Sequence, residues 1–249
     1  MTMKKIHPTL FLLSTLLLAS WADIRAEEPS IFQSSEKRAQ VIELYTSQGC
    51  SSCPPAERWL NQFVDDPGLW TEFVPVTFHV SYWDRLGWKD PFANKQYTAR
   101  QYAYSERGAV RNVYTPSFVS NGKEWRGWFQ RDPLPQVTGS AGILKGVINN
   151  NRLDVEYTET TALTLNVATL GFDLTTDIRS GENWGKRLEQ QFVVLHHQTA
   201  DSKNGRWSLK LPDLDQHRAK RLGLAVWVSR KGDLEPIQAM GTWLNKSLY

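Results

Sequence analysis

Val41-Ile42-Glu43-Leu44-Tyr45-Thr46-Ser47-Gln48-Gly49-Cys50-Ser51-Ser52-Cys53-Pro54-Pro55-Ala56 is the stretch that decides how this chain is read. Val41 to Tyr45 has the composition of a strand and Ser47 to Gly49 that of a loop. Cys50 and Cys53 follow at Cys-x-x-Cys spacing, and they are the only 2 cysteines in 249 residues. Ala56, Trp59, Leu60 and Phe63 then recur at i, i+3, i+4 and i+7, one apolar face of a helix. A bridge between Cys50 and Cys53 closes so short a loop that it removes little entropy from the unfolded chain. Such a poor staple points to chemistry, redox exchange or metal binding, over a bland structural turn. Proline is tolerated only in the first turn of a helix, so Pro54 and Pro55 place the helix start near Pro54 rather than near Cys50.

The rest of the first half continues in the same style. Val74 to Val80 is a second apolar run of strand type. It leads into a loop, Ser81 to Asp90, carrying Tyr82, Trp83, Asp84 and Trp88. Sites in open α/β sheets collect at the C-terminal ends of strands, so this loop is expected beside the cysteines. His79 is expected to be a hydrogen-bonded core histidine, and the loop Trp and Tyr residues to be packing residues, with the lining of a substrate groove, Trp83 foremost, as the alternative. Asp90-Pro91 reads as an N-cap with proline at the first helical position, opening a helix from about Phe92 to Tyr104. Asn121-Gly122 is a hairpin turn signal, and Asp132-Pro133 opens a weak helical segment to about Asn149.

From Asn151 the apolar period changes to two. Leu153, Val155 and Tyr157 alternate with charged residues, as do Trp207, Leu209 and Leu211. Leu163, Leu165 and Val167, then Leu222, Leu224, Val226 and Val228, repeat the pattern. Short alternating strands separated by turns predict an antiparallel sandwich over residues 151–249. His196 and His197 are adjacent in a strand pattern, so they point to opposite faces and form no two-histidine clamp. Ser180-Gly181-Glu182-Asn183-Trp184-Gly185 is a turn-rich loop without an evident role.

Glu43 to Ala56, His79 to Phe92 and Tyr114-Thr115-Pro116 together resemble the signatures of a family of secreted bacterial proteins, the domain-of-unknown-function family 1223. The resemblance covers most of residues 41–245 and implies a thioredoxin-like domain over 41–150. It also implies a cis bond at Thr115-Pro116, facing the cysteines and holding a substrate chain. Glu43 resembles the buried acid that thioredoxin-like enzymes place on the strand before the cysteines, as proton acceptor for the second. The alternative for Glu43 is a structural ion pair, for example with Arg100. The expected fold class is thus an α/β thioredoxin-like domain followed by an all-β antiparallel sandwich.

Residues 1–26 read as a secretory signal, with Lys4 and Lys5 before an apolar core from Leu10 to Ser20. That core is too short to span a bilayer. Cleavage after Ala22 or Ala26 leaves a periplasmic or secreted chain, with 27–40 as an irregular lead-in. Its removal takes Lys4, Lys5, Arg25 and Asp23, lowering the full-chain charge of +3 by two. So small a charge gives no case for nucleic acid or an anionic membrane. No later segment is apolar enough to cross a membrane.

The leading functional expectation is a thiol–disulfide oxidoreductase acting on protein or small-molecule thiols and disulfides. Cys50 is its attacking thiolate, Cys53 its resolving thiol and Glu43 its proton acceptor, with Thr115, Pro116 and Trp83 at the substrate. This chemistry needs no cofactor. One alternative is a copper- or zinc-binding protein using the two thiolates, although a closed zinc site wants four ligands. The other is a redox-inactive binding module. Substrate, direction of electron flow and oligomeric state are not readable from the sequence.

Overall fold

A computed structural model describes residues 28–159, 161–213 and 219–244. The expected signal segment, 1–26, lies outside these residues. In chain order the strands and helices are β1 Ser30–Gln33, β2 Gln40–Thr46, α1 Pro54–Asn61, β3 Phe73–His79, α2 Lys95–Glu106, β4 Ser117–Ser120 and β5 Lys123–Glu124. Then come β6 Leu144–Asn149, β7 Arg152–Tyr157, β8 Leu163–Phe172, β9 Leu174–Asp177 and β10 Arg187–Gln190. The chain continues with β11 Val193–Ser202, β12 Arg206–Lys210, β13 Arg221–Arg230 and β14 Pro236–Leu244.

Eight of these strands form one mixed sheet in the order β14-β13-β8-β11-β3-β2-β4-β5. β2 and β3 run parallel, in register from Gln40↔Phe73 to Thr46↔His79, as a strand–helix–strand crossover through α1 requires. β11 joins parallel to β3 through Val193↔Thr77, and the Thr77 N–H donates to the Phe192 carbonyl at 2.8 Å. Beyond that junction β11, β8, β13 and β14 are antiparallel. A second sheet, β1-β6-β7-β12, packs Leu144, Ile148, Leu153 and Val155 against Leu165, Val167, Val226 and Met240 of the large sheet.

These pairings correct the expected fold class. The chain is not an α/β thioredoxin-like fold followed by a sandwich. Among the described residues there are two α-helices against fourteen strands. Strands from both halves share the large sheet, because β11 covers the β3 edge that the first half leaves open. The period-two segments after Asn151 do form strands. Periodicity reports which face of a strand is buried, not which neighbour it pairs with.

Three local expectations change as well. The lead-in 27–40 contains β1, paired with β6 from Ser30↔Ile148 to Gln33↔Lys145. The helical reading of 132–149 gives way to a loop and β6, whose buried–exposed alternation is that of a strand. The second helix starts at Lys95, capped by the Asn94 side chain accepting from the Gln96 N–H, because Asp90 is drawn elsewhere. Two expectations hold. Helix α1 starts at Pro54. Asn121 and Gly122 turn β4 into β5 at φ 44° and 83°, the positive pair a tight two-residue hairpin needs.

Candidate functional site

Cys50 and Cys53 are joined in a disulfide with Cα atoms 5.4 Å apart. The turn carrying them is held by the Cys50 N–H donating to the Ser47 carbonyl and the Cys53 N–H to the Cys50 carbonyl. Cys53 is the N-cap of α1, in right-handed helical conformation. Ser51 and Ser52 are exposed, while both cysteines are 0 % exposed.

The two faces of β2 divide the neighbouring acids. Side chains alternate along a strand, so Glu43 and Thr46 project to opposite sides. Glu43 faces α2. Its Oε2 accepts from Arg100 Nε at 2.8 Å and from the Tyr45 hydroxyl at 2.6 Å. Its Oε1 accepts from Arg100 Nη2 at 2.7 Å and from the Tyr104 hydroxyl at 2.6 Å. The Arg100 guanidinium also lies over the rings of Phe78, Tyr104 and Trp227. The ion pair with Arg100 is therefore the role the structure shows for Glu43, on the sheet face away from α1. Burial and the Glu43 charge together hold the Tyr45 and Tyr104 hydroxyls far above the ordinary tyrosine range.

On the α1 face stands a different acid. Glu57 follows Cys53 by one helical turn, its N–H donating to the Cys53 carbonyl. Its buried carboxylate accepts from Thr46 Oγ1 at 2.7 Å and from Gln190 Nε2 at 3.1 Å. Gln190 Oε1 accepts in turn from Gln48 Nε2 at 2.7 Å. The Gln48 N–H donates to Asp90 Oδ2 at 2.8 Å, and the same oxygen lies 2.7 Å from His79 Nδ1. A buried polar network thus runs beneath the cysteine turn from α1 to β3.

The network sets its own protonation. Burial raises the Glu57 carboxyl, and His79 and the bonds from Thr46 and Gln190 offset this only in part. Burial alone would lower His79, but Asp90, and then Glu57, bring it above the ordinary imidazole value. Burial would raise Asp90, but His79 and the N–H groups of Gln48 and Phe92 bring it below the ordinary carboxylate value. His79 is thus a hydrogen-bonded core histidine, paired with the Asp90 expected to cap a helix.

The substrate candidates gather on the other flank of the turn. Trp83 Nε1 donates to Thr115 Oγ1 at 2.7 Å. A Cβ placed on Gly49 would meet Trp83 Cβ at 3.4 Å, so the base of this residue lies against the cysteine loop. The Thr115-Pro116 bond is cis, as the resemblance implies. Trp83 thus stands against the cysteine loop and ties Thr115, with Pro116 next to it, to that flank, while Glu43 makes its bonds on the α2 side. Among the described residues, no three His, Cys, Asp or Glu side chains stand close enough together to hold a metal ion.

A family model described as protein of unknown function (DUF1223) matches residues 41–229, which includes both helices and nearly all of β2 and β13. The chain belongs to this family. Two solved structures resemble this DUF1223 protein. One is an Agrobacterium tumefaciens protein from a structural-genomics programme, 25% identical, with TM-score 0.62 over 85% of this chain and 97% of that one. The other is HBP35 of Porphyromonas gingivalis, 14% identical, with TM-score 0.52 over 86% of this chain and 77% of that one, a likeness of fold alone. No curated protein matches the chain.

Sequence reasoning missed Glu57, Gln48, Gln190, Glu182 and Asn183. Asn183 is fully buried, and its Nδ2 donates to the carbonyls of Gln48 and Cys50, each at 2.9 Å. The Ser51 N–H donates to Glu182 Oε2 at 3.0 Å. The signal for Glu182 and Asn183 was the turn-rich Ser180–Gly185 segment of the DUF1223 chain, whose position only the fold reveals. Glu57 had a signal too, its place one turn after Cys53.

Proposed function

We propose that the protein is an exported thiol–disulfide oxidoreductase whose reactive group is the Cys50–Cys53 pair. The observation that carries this is the disulfide itself: it closes a minimal loop at the start of α1. It adds little by constraining the unfolded chain, yet it sits on a dedicated polar network. In the reduced protein, the Cys50 thiolate attacks a substrate disulfide. One substrate sulfur leaves as thiolate and takes a proton. Cys53, deprotonated, then attacks Cys50 Sγ in the mixed disulfide, the second substrate thiol leaves, and the protein disulfide re-forms. Two substrate sulfurs are reduced and two protein sulfurs oxidised, and the reverse sequence runs with the same groups. Trp83 with Thr115-Pro116 borders the loop where a substrate chain would lie. Export rests on the N-terminal segment, which reads as a secretory signal.

Single-cysteine variants test the assignment. Cys53→Ser should accumulate mixed disulfides on Cys50 when offered a model disulfide, and Cys50→Ser should accumulate none. Mass spectrometry of the adducts reads the outcome, and equal trapping by both variants, or by neither, rejects the roles.

A further inference from the structure

Both cysteines are buried, although the serines between them are exposed. A thiolate must approach a sulfur in line with the S–S bond to displace it, so a buried disulfide exchanges only after something moves. The structure identifies what lies across the turn. Strands β9 and β10 pair alone, from Leu174↔Gln190 to Asp177↔Arg187, as a hairpin outside the two larger sheets. Its tip, residues 178–186, reaches back to the cysteine loop of the first half.

Three bonds join the tip to the loop backbone. Asn183 Nδ2 holds the Gln48 and Cys50 carbonyls, and Glu182 accepts from the Ser51 N–H. The Asn183 Oδ1 is itself fixed by Lys186 Nζ at 2.8 Å. On its other side the tip is docked on the Ser81–Asp90 loop, where the Ser180 hydroxyl donates to the Gly87 carbonyl. A Cβ on Gly181 would come within 3.1 Å of Trp88 Cβ, so the two loops are in direct contact. Beside Asn183, by contrast, Trp184 is 75 % exposed. The tip therefore has a latch of polar bonds to the cysteine loop and little apolar burial of its own beyond Ile178. Segments of that kind open locally at lower cost than the core.

We infer that the 178–186 hairpin tip is the access-controlling element of the redox site, with Asn183 as its latch. In the closed form it holds the loop 48–51 so that the disulfide is shielded. Exchange proceeds from the form in which the Asn183 and Glu182 bonds are released. Its place in turnover rests on the redox reading above, but its effect on access to the disulfide does not.

The test is therefore made on the protein disulfide without any biological substrate. Dithiothreitol reduces Cys50–Cys53 to the dithiol and is itself oxidised to the cyclic disulfide, and alkylation followed by mass spectrometry gives the rate. Asn183→Ala should raise that rate about tenfold, and Glu182→Ala, at an exposed residue outside the core, about threefold. Re-oxidation should accelerate by the same factors, leaving the equilibrium potential unchanged, because a gate alters both directions alike. Wild-type rates in both variants would overturn the inference. So would a faster reduction matched by an equal shift in the equilibrium constant, since that is the signature of altered redox energetics rather than access. A gate that passes this test while no substrate disulfide is ever exchanged leaves the access claim standing and removes the oxidoreductase reading.

Discussion

At the scale of single residues, the two buried acids near the cysteines have different work, and strand alternation separates them. Glu43 neutralises Arg100 on the α2 face, with both side chains nearly inaccessible. Glu43→Gln leaves a buried guanidinium without its counter-charge, a change that costs about 3–5 kcal/mol. Urea unfolding should show this loss, while cysteine alkylation rates in the folded variant should stay at wild type. Altered alkylation with unchanged stability would return Glu43 to the cysteine site. Glu57, His79 and Asp90 each contribute a pH dependence. Glu57 has a raised folded value, so its contribution is full below the ordinary 4.5 and is lost as pH rises through the folded value. His79 is also raised, so its share is full below 6.5 and lost above it, as pH passes the folded value. Asp90 is lowered, so its share is present above 3.8 and lost as pH falls through the folded value. Urea midpoints should thus decline on the alkaline side of 6.5, and His79→Gln should flatten that limb. An unchanged slope in the variant would show that the pair does not titrate with folding. Sequence alone singled out Glu43 with Arg100 as a candidate partner, and the ion pair holds, but it did not give Asp90 to His79, because burial is visible in an apolar strand while the group that meets it comes from another element.

At the scale of elements, local chemistry was legible where it is self-contained. The helix start at Pro54 and the turn at Asn121-Gly122 follow from φ restrictions of the residues themselves. The start of α2 was misplaced because Asp90, a good N-cap in isolation, is recruited by His79 and the Gln48 N–H. Residues 132–149 were misread because their glycines and prolines left no clear period, and β6 forms only with β1 and β7 as neighbours. One strand position illustrates what sequence cannot show. Gly241 in β14 has Trp70 lying against it, so that a Cβ would fall 2.0 Å from the indole Cε3. Gly241→Ala should displace Trp70 and cost about 1–3 kcal/mol, the range for overpacking a filled core. Thermal unfolding checks this, and a variant as stable as wild type would mean that Trp70 repacks freely.

At the scale of the molecule, the main difference from the sequence reading is where the second half goes. Its strands extend the sheet of the first half through the β11–β3 junction, and its β9–β10 hairpin reaches the cysteine turn. The surroundings of the cysteine loop are therefore assembled from both halves: Cys50 and Cys53 from one, Glu182, Asn183 and Gln190 from the other. No periodicity or motif within either half encodes that contact, which has its origin in long-range pairing. The alternating strands and the cysteine motif were readable, and the cis bond was implied by the family resemblance alone; their arrangement was not. The central claim is that this assembly maintains an exchangeable disulfide rather than a staple. The reduction potential of the Cys50–Cys53 couple, equilibrated against a glutathione or dithiothreitol buffer, tests it most directly. A value above about −300 mV, within the span of redox-active pairs, is expected, and a value well below about −300 mV, where structural disulfides of secreted proteins lie, would make the bond a staple.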